Sequence, residues 1–503
     1  MGEGVDLKFV GHRTERADTL EKATGRAVFG TDIYFPGLLS GKVLRSPRPH
    51  ALIKKIDTSR AKRLPGVRAV VTGADFPDSY WGSYLKDQTI YATDRVRYVG
   101  QPIAAVAAVD DSTAQEAVER IDVEYEDLPA VFDVEEAIRE DAPLIHPDLG
   151  NYFIAEAFFR SVPGTNIPNH FRLRHGDVDK GFSESDEVFE DRYEVPMIQH
   201  CPMEPHASVA QADFSGKVTI WSSTQGPYLT RGQVANALGL PMNKVRIVGT
   251  YCGGAFGGKI SACNEVISGS LAVHTGGNPV RLVFTREEEF VAGFVRQRVV
   301  GYYKTGVKRD GRFVARQIRL LWDTGAFGDY EISVARSAGY AASGPYQIPN
   351  VHIDSYAVYT NKPVAGAFRG FGVPETCFCY EQQLERIARE LGLDPMEVRE
   401  KNLVREGSVT PTGQPLRAVG LKECLDKARD ALGWAPRENP KDRPNIRRGR
   451  GVACMYKFTV HQISVMANLK MNEDGSLLLQ TAAVEHGQGA HTILRQNAAE
   501  ELG

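Results

Sequence analysis

The chain has 503 residues, of which 42% are hydrophobic and 24% charged, and its formal net charge is −3. This length predicts two to four domains, and the near-neutral charge gives no basic footprint for nucleic acid. The first 20 residues lack the apolar centre of a signal peptide, and no apolar run reaches membrane-spanning length. We therefore expect a cytoplasmic protein that binds neither nucleic acid nor a membrane.

Strands and helices alternate along the first part of the chain, which predicts one α/β domain over residues 1–137. A turn at residues 22–32 is expected to enter its first strand. Further strands are predicted at 38–44, 51–56, 67–72 and 121–125, with a helix at 112–120. Residues 96–109 are predicted to contain a turn at Gly100–Pro102 followed by an apolar strand. Residues 138–175 are rich in Pro, Asn and Asp and are predicted to be a linker.

Residues 176–405 are predicted to form a second α/β domain. Its expected elements are a strand at 188–195, a hairpin of 206–213 and 218–222, helices at 230–238 and 261–274, strands at 244–248, 280–285 and 313–322, and a long helix at 375–391. The capping box from Asp394 to Glu397 starts another helix.

Residues 406–450 are predicted to be a connecting segment around a helix at 421–432. Residues 451–503 then open a further α/β unit, with strands at 452–456 and 476–484 and a helix at 490–502. A helix that buries one face needs partners. We expect the rest of this unit to lie on another polypeptide, or the chain to be a fragment.

The seven cysteines are scattered, and none stands in a Cys-x-x-Cys pair. This spacing matches neither an iron–sulfur cluster nor a zinc ribbon. Reduced and mostly buried thiols are therefore expected in a cytoplasmic chain.

The stretch Cys252–Lys259 holds four glycines in six positions directly after a strand pattern. Bare backbone amides of this kind can form a cradle for an anion. A tight turn without a ligand is one alternative. A nucleotide-binding P-loop is another, because Gly253 and Gly258-Lys259 have its spacing, but Ile260 lacks the hydroxyl that holds Mg²⁺. The spacing of a dinucleotide-binding fingerprint is missing.

Three other loops combine glycine with an amide or guanidinium side chain, at Ser223–Pro227, Ala367–Gly372 and Glu485–Thr492. Each is predicted beside the end of a strand or the start of a helix, where α/β folds bind ligands. Gln and Arg donate hydrogen bonds without a change of ionisation. Together with the glycine stretch, these loops predict one composite site for a large, anionic, oxygen-rich ligand.

These motifs, in this order, resemble the molybdopterin-binding large subunit of the xanthine dehydrogenase and aldehyde oxidase family of molybdenum hydroxylases. The matching segments are Gly253–Lys259, Ala367–Gly372, Met203–His206, Gly487–Thr492, Lys22–Gly25 and Arg97–Pro102. The resemblance implies a mixed α/β fold, with an N-terminal hammerhead α/β domain followed by molybdopterin-binding α/β domains. It implies that the last of these, at 451–503, is incomplete.

The resemblance also implies a cofactor, molybdopterin with molybdenum, either alone or as a cytosine dinucleotide. Gln225, the backbone of Phe256, and Arg369 would lie at the metal, and Phe371 would stack on a flat substrate. The implied cofactor-binding residues are Gly253, Gly254, Phe256, Gly257, Arg369, Gly487, Gln488 and Gly489.

The implied reaction is oxidative hydroxylation, or reductive dehydroxylation, at an electron-poor carbon. Electrons would pass to iron–sulfur and FAD groups on partner subunits, since this chain has no ligand pattern for them. The family's base glutamate would lie beyond Gly503, so no catalytic base is assigned, and a further chain could supply that part. Glu204 and Glu485 are expected to be structural.

Two departures from the family pattern narrow the substrate. Ile260 stands where xanthine-type enzymes place a substrate-binding glutamate, which argues against a purine. Gly366 stands where carbon-monoxide dehydrogenases place a cysteine, which argues against CO. Aldehydes, N-heteroaromatics such as nicotinate, and aromatic acyl-CoA thioesters such as 4-hydroxybenzoyl-CoA remain open. A non-catalytic paralogue or assembly protein with the same fold is the alternative function.

Overall fold

The structure is a computed structural model that describes residues 7–156, 158–434, 443, 445–458 and 466–503. Its strands are β1 (Leu39–Arg45), β2 (Ala51–Asp57), β3 (Val67–Thr72), β4 (Arg95–Val96), β5 (Pro102–Ala108), β6 (Asp122–Asp127), β7 (Asn169–His175), β8 (Glu187–Val195), β9 (Ile198–Gln199), β10 (Ala207–Ala212), β11 (Val218–Ser222), β12 (Val245–Gly249), β13 (Val280–Val283), β14 (Val295–Arg296), β15 (Val299–Val307), β16 (Phe313–Gly325), β17 (Asn350–Tyr359), β18 (Ala467–Met471) and β19 (Leu477–Thr481). Its helices are α1 (Thr19–Ala23), α2 (Ser59–Lys62), α3 (Asp111–Glu119), α4 (Val134–Ala137), α5 (Val178–Ser183), α6 (Pro227–Ala237), α7 (Asn264–Ala272), α8 (Arg286–Ala292), α9 (Glu331–Ala341), α10 (Val373–Leu391), α11 (Pro395–Asn402), α12 (Leu421–Leu432) and α13 (Ala490–Leu502).

A seven-stranded mixed sheet has the order β12-β11-β10-β13-β1-β5-β3. Strand β1 joins it by pairing in parallel with β13, with Leu39 opposite Val280. Helix α7 is buried along its whole length against this sheet. At one edge β11 and β12 run in parallel, and Ser222 is paired with Gly249. The loops that follow these two strands therefore start side by side, and one of them is the glycine stretch.

A smaller three-stranded sheet, β4-β2-β6, accompanies the N-terminal strands. Helix α3 packs on β1 and β5 through Ala114, Ala117 and Val118. Its start is fixed by Asp110, whose side chain accepts a hydrogen bond from the Thr113 amide, as expected for an N-cap. The alternation of strand and helix predicted for this part of the sequence is present.

The largest core surrounds a five-stranded sheet of order β7-β17-β16-β15-β8. Helices α9 and α10 pack against it. Helix α10 begins after Gly372, with φ +84°, and ends at Gly392, with φ +68°, both left-handed positions that suit glycine. Its buried face includes Leu384 and Ile387. This packing fixes the Ala367–Gly372 loop, which directly precedes α10.

The structure differs from the predicted elements in three places. The end of the segment predicted as a linker forms β7, which pairs with β17. The strand predicted at 452–456 is absent; Cys454 is instead buried against α10, where its carbonyl accepts a hydrogen bond from Tyr380. The segment 22–32 enters a 3₁₀ turn at Gly30–Asp32 rather than a strand.

The C-terminal elements form a two-stranded hairpin, β18-β19, followed by α13. Helix α13 contacts the N-terminal segment, because Glu500 accepts hydrogen bonds from the amides of Lys8, Phe9 and Val10. Among the helices of the described ranges, none is long and apolar enough to cross a membrane.

Candidate functional site

Gln225 and the glycine stretch meet at the end of β11 and β12. The Gln225 side-chain oxygen Oε1 accepts a hydrogen bond of 2.9 Å from the Gly257 amide. The backbone amide of Gln225 donates to the Lys259 carbonyl at 2.8 Å. In the part of the chain that the structure describes, no hydrogen bond uses Nε2 of Gln225. The hydrogen bond to Oε1 therefore orients the Gln225 side chain, and the side-chain nitrogen Nε2 is available as a donor to a ligand.

The arginine loop closes over the same stretch. The Arg369 amide donates to the Phe256 carbonyl at 2.9 Å. A Cβ atom on Gly257 would lie 2.4 Å from the Ala367 carbonyl oxygen, so only glycine permits this approach. The Arg369 side chain is exposed, and within the described residues its guanidinium has no hydrogen-bond or ion-pair partner. Gln225, Phe256, Gly257 and Arg369 are thus brought together as predicted.

The backbone of the stretch is shaped as a cradle. Gly254, Phe256 and Gly257 have φ values of +100°, +55° and +109°. The amides of Gly254, Ala255 and Phe256 have no hydrogen-bond partner among the described residues. Successive amides freed by left-handed turns form concave sites for anions. The cradle can therefore donate to an oxygen-rich, anionic ligand.

A buried ion pair holds the start of the stretch. Glu204 accepts from the Gly253 amide at 2.7 Å through Oε2 and from the Gly30 amide at 3.0 Å through Oε1. Lys259 Nζ donates to the Glu204 carbonyl at 2.8 Å and lies 3.1 Å from Oε2. Since Lys259 is only 2% exposed, its ammonium is turned away from any ligand in the cradle. This geometry is incompatible with a P-loop lysine.

A second buried pair holds the end of the stretch. His206 Nδ1 lies 2.9 Å from Glu289 Oε1, and His206 Nε2 lies 3.0 Å from the Gly258 carbonyl oxygen. Both ring nitrogens face acceptors and one of these is the Glu289 carboxylate, which favours the imidazolium form. Burial lowers the pKa of His206, but the charge and the hydrogen bond of Glu289 together outweigh burial and raise this pKa above its ordinary value. Burial raises the pKa of Glu289, but His206 brings it to about 2.

A second histidine, His200, fills the space beneath Gly258. Its Nε2 lies 2.8 Å from the Ala367 carbonyl oxygen and its Nδ1 lies 3.1 Å from that of Phe294. The ring stacks on Phe368 with centroids 4.2 Å apart. Burial lowers the pKa of His200 to about 4. A neutral ring carries one proton, so His200 donates to one of these two carbonyl oxygens at a time.

The Gln488 loop is separate from this cluster. Gln488 donates through Nε2 to the Val484 carbonyl and accepts at Oε1 from the His486 amide, so its polar atoms serve its own loop. Glu485 accepts from the amides of Gly487 and Gly489 at 2.8 and 3.0 Å. Burial raises the pKa of Glu485, but these amides hold it below its ordinary value.

An open groove of about 1240 Å³ lies between the two regions and is lined by Gly249–Tyr251 on one side and by Glu485 and His491 on the other. The Gln488 side chain does not line this groove. The roles of Gly487, Gln488 and Gly489 toward a cofactor stay predictions.

Phe371 lies on the far side of the arginine loop, with a left-handed φ of +54°. Its half-buried ring packs edge-on against Tyr330 at 6.4 Å between centroids. Lys457 Nζ lies 5.8 Å from the centroid of the same ring. A stacking role of Phe371 toward substrate stays a prediction.

The sequence did not indicate the partners of the motif Met203–His206. Glu204 and His206 belong to a motif in the sequence, but nothing in the sequence marks Glu289, 83 positions away, as the partner of His206. Lys457 was missed for the same reason. In the described ranges no cluster of three or more His, Cys, Asp or Glu side chains is placed to hold a metal ion. The residues predicted at the metal are hydrogen-bond donors.

Family models match most of the chain. Residues 24–129 match the "aldehyde oxidase and xanthine dehydrogenase, a/b hammerhead domain", and residues 159–403 and 427–503 each match a "molybdopterin cofactor-binding domain". These matches confirm the predicted family and fold class. They also confirm molybdopterin as the cofactor class of these domains.

Two curated relatives differ in how much of their length the chain spans. The nicotinate dehydrogenase large molybdopterin subunit of Eubacterium barkeri is 40% identical over 85% of this chain and 97% of its own length. The xanthine dehydrogenase molybdenum-binding subunit of Escherichia coli O157:H7 is 35% identical over 97% of this chain, which spans only 65% of that subunit. Both relatives are named as subunits.

Solved structures agree with the fold. Quinoline 2-oxidoreductase from Pseudomonas putida 86 superposes with a TM-score of 0.85 at 26% identity, covering 99% of this chain and 65% of that one. Aldehyde oxidoreductase from Desulfovibrio gigas gives a TM-score of 0.82 at 27% identity, covering 94% of this chain and 52% of that one. The chain thus spans one half to two thirds of these solved chains.

Proposed function

The chain belongs to the xanthine dehydrogenase and aldehyde oxidase family of molybdopterin-binding large subunits, and from this membership we propose that it carries the cofactor cradle of a molybdenum hydroxylase. The reaction would hydroxylate, or reductively dehydroxylate, an electron-poor carbon of a small aromatic or aldehyde substrate. The cytoplasmic location of the protein stays a prediction.

The observation that carries this proposal is the side-by-side placement of unpaired donors. Nε2 of Gln225 and the amides of Gly254, Ala255 and Phe256 have no partner among the described residues, and the Gln225 oxygen is held by Gly257. Molybdopterin is anionic and presents oxygen atoms, which are acceptors for such donors. The residues present therefore fit the cofactor.

Each residue would have a defined task. Gln225 Nε2 and the Phe256 amide would donate to oxygen atoms of the cofactor, and Arg369 would add positive charge beside them. The buried pairs Glu204–Lys259 and His206–Glu289 would hold the cradle in the correct geometry. When bound, the cofactor supplies a two-electron redox centre; the chain orients it and shields it from water.

The groove beside the cradle supports a finer form of the cofactor. Its volume of about 1240 Å³ suits a dinucleotide extension that runs from Tyr251 toward His491. Glu485 lines the groove and is bonded to the amides of Gly487 and Gly489, so the Gly487–Gly489 loop would stand at the far end of that ligand. We include the cytosine dinucleotide form in the proposal on this basis.

The proposal also includes partner subunits. Iron–sulfur and FAD groups would lie on separate chains that accept electrons from the cofactor, and a further chain could complete the molybdopterin site. The names of the relatives describe molybdenum- or molybdopterin-binding subunits, which supports an assembly of several chains.

Metal analysis and turnover of the purified complex test the proposal. The chain should be co-purified with the products of adjacent genes, and molybdenum, iron and flavin should be measured. We expect about one molybdenum per chain and dye reduction with an aldehyde or N-heteroaromatic compound. A correctly folded complex without molybdenum and without turnover would instead establish the non-catalytic paralogue.

A further inference from the structure

The backbone of Arg369 is held at both of its polar groups, whereas its side chain is exposed. The amide donates to the Phe256 carbonyl in the cradle at 2.9 Å. The carbonyl accepts a hydrogen bond of 2.5 Å from Nη2 of Arg296, which lies on β14. Arg296 therefore fixes the main chain from which the Arg369 guanidinium projects.

Arg296 also contacts Phe368, the residue before Arg369. The central guanidinium carbon of Arg296 lies 4.0 Å from the centroid of the Phe368 ring. The His200 ring is stacked on the same ring, with centroids 4.2 Å apart. His200 directly follows β9, and β9 pairs with β14 through Ile198 and Arg296. The two paired strands thus hold Phe368 by two planar groups, and a guanidinium can stack in this way whereas an ammonium has no flat face.

A buried carboxyl group fixes Arg296 itself. Nε of Arg296 lies 3.1 Å from Oε1 of Glu375, in the first turn of α10. The side chain of Arg296 is 13% exposed and that of Glu375 is 1% exposed. Burial raises the pKa of Glu375, and the charge of Arg296 opposes this rise only in part. The guanidinium thus ties the start of α10 to the loop that precedes it.

We propose that Arg296 is a positioning residue that sets the direction of the Arg369 side chain toward the cofactor. It would act through the Arg369 carbonyl and the Phe368 ring, and its own guanidinium would touch neither cofactor nor substrate. The inference rests on the proposed function, in which Arg369 adds positive charge beside the cradle. It adds a residue that lies outside the sequence motifs, 73 positions away from Arg369.

The start of the arginine loop does not depend on the Arg296 side chain. The Gly366 amide donates to the Val295 carbonyl at 2.9 Å, and the Val295 amide donates to the Val364 carbonyl at 3.2 Å. These backbone bonds do not involve the side chain that is replaced. A substitution of Arg296 should therefore loosen the loop chiefly at Arg369 and its preceding residue, while the fold persists.

The test uses the assembled complex with the variants Arg296→Met and Arg296→Lys. Arg296→Lys keeps a cation beside Glu375, so it should fold even if Arg296→Met does not. Arg298→Met is the matched control, because the Arg298 side chain is 14% exposed and its two ion-pair partners lie outside the arginine loop. Hydrogen–deuterium exchange of the peptide 367–372 and steady-state kinetics are measured for each variant.

We expect Arg296→Met to speed exchange of this peptide roughly 10- to 100-fold, as for the loss of one hydrogen bond from a charged donor. In the molybdenum-loaded complex it should lower kcat by about 10- to 100-fold, because a displacement of about 1 Å costs about that much, with KM changed less than about 2-fold. Arg296→Lys should lie between the native protein and Arg296→Met. Arg298→Met should leave both readouts unchanged.

A double-variant cycle separates positioning from general support of the fold. In an Arg369→Met background, Arg296→Met should lower kcat by less than about 2-fold further, because the group that it positions is already gone. Losses that multiply in the double variant would overturn the inference. Exchange as slow as in the native complex, or equal effects of Arg298→Met, would do the same.

The exchange measurement does not require the cofactor, so the two proposals can fail separately. A complex without molybdenum and without turnover, whose peptide 367–372 still exchanges faster in Arg296→Met, would refute the proposed function. It would leave standing the hold of Arg296 on the arginine loop.

Discussion

His206 and Glu289 form a buried ion pair beneath the glycine stretch, with Nδ1 and Oε1 2.9 Å apart. The other ring nitrogen of His206 lies 3.0 Å from the Gly258 carbonyl oxygen. The charge of the pair is thus coupled directly to the backbone of the cradle. Glu204 binds the opposite end of the glycine stretch, at Gly253. Glu204 and His206, which are two positions apart, therefore hold both ends of this stretch.

Removing one partner of this pair should be strongly destabilising. In Glu289→Gln the imidazolium of His206 would remain buried without its counterion, which costs about 3–5 kcal/mol in comparable pairs. Urea denaturation of the purified chain measures the free energy of unfolding. Glu287→Gln is the control, because Glu287 is exposed on the same helix and should change stability by about 0.5 kcal/mol or less. Equal losses in both variants would contradict the pairing.

The pKa values of His206 and Glu289 predict the pH range in which this pair stabilises the fold. The pKa of His206 is raised, so its contribution is complete below its ordinary value of 6.5 and is lost as pH rises through the raised pKa. The pKa of Glu289 is lowered to about 2, so its contribution is complete above its ordinary value of 4.5 and is lost as pH falls toward 2.

The unfolding free energies of the native chain and of the double variant His206→Gln/Glu289→Gln should therefore differ most between pH 4.5 and 6.5. The difference should shrink on both sides of that window. A difference that stays constant from pH 4 to pH 9 would show that the pair is not titrating as described.

The separate tasks of the two polar atoms of Gln225 can be tested by comparing two substitutions. Gln225→Glu keeps an acceptor for the Gly257 amide but removes the Nε2 donor, whereas Gln225→Ala removes both. Loss of one preorganised donor lowers kcat by about 100- to 1000-fold. We expect both variants to lose turnover, more than they lose molybdenum, in the assembled complex. Unchanged kcat in Gln225→Glu would refute the donor role.

Sequence and structure agree best where a motif is local. The hairpin of β10 and β11, the N-cap at Asp394 and the helix that ends at Gly392 could all be predicted, because their signals lie within a few residues. Among the described residues, the reciprocal bond from Glu397 that would complete the predicted capping box is absent. The turn at the glycine stretch could also be predicted, and two of its four glycines, Gly254 and Gly257, have left-handed φ values. The sequence could not show that Gln225 uses its oxygen on Gly257 and keeps its nitrogen unpaired, because that depends on parallel pairing of β11 with β12.

Other features depended on contacts distant in sequence. The pairing of β7 with β17 joins Asn169 to Ala357, so a polar segment that looks like a linker becomes an edge strand. The segment at 452–456 has an apolar pattern but packs on α10 instead of a neighbouring strand. Burial of Lys259 against Glu204 likewise depends on a contact between residues that lie 55 positions apart in the sequence.

The close contact between the glycine stretch and the arginine loop should not tolerate a methyl group. In Gly257→Ala the new Cβ would lie 2.4 Å from the Ala367 carbonyl oxygen, in addition to a left-handed φ of +109°. Gly216→Ala is a matched control, with φ +76° and nothing within 4 Å of the new atom. We expect about 1 kcal/mol of destabilisation at Gly216 from backbone strain alone.

At Gly257 the clash should add about 1–3 kcal/mol to that strain. Urea denaturation measures both, and molybdenum content of the assembled complex reports the state of the cradle. Gly257→Ala should lose metal and Gly216→Ala should retain it. Equal stability of the two variants would show that the loops can separate without cost.

Phe371→Ala tests the surface on which a flat substrate would stack. The native residue already has a left-handed φ of +54°, so alanine inherits the backbone strain and removes only the ring. An aromatic contact is worth about 0.5–1.5 kcal/mol, which corresponds to a rise in KM of roughly 2- to 10-fold for a heteroaromatic substrate. Phe214→Ala, at a 99% exposed position, is the control and should leave KM unchanged. A fall in kcat with KM unchanged would place Phe371 in the support of the arginine loop, through its neighbour Tyr330, and not against the substrate.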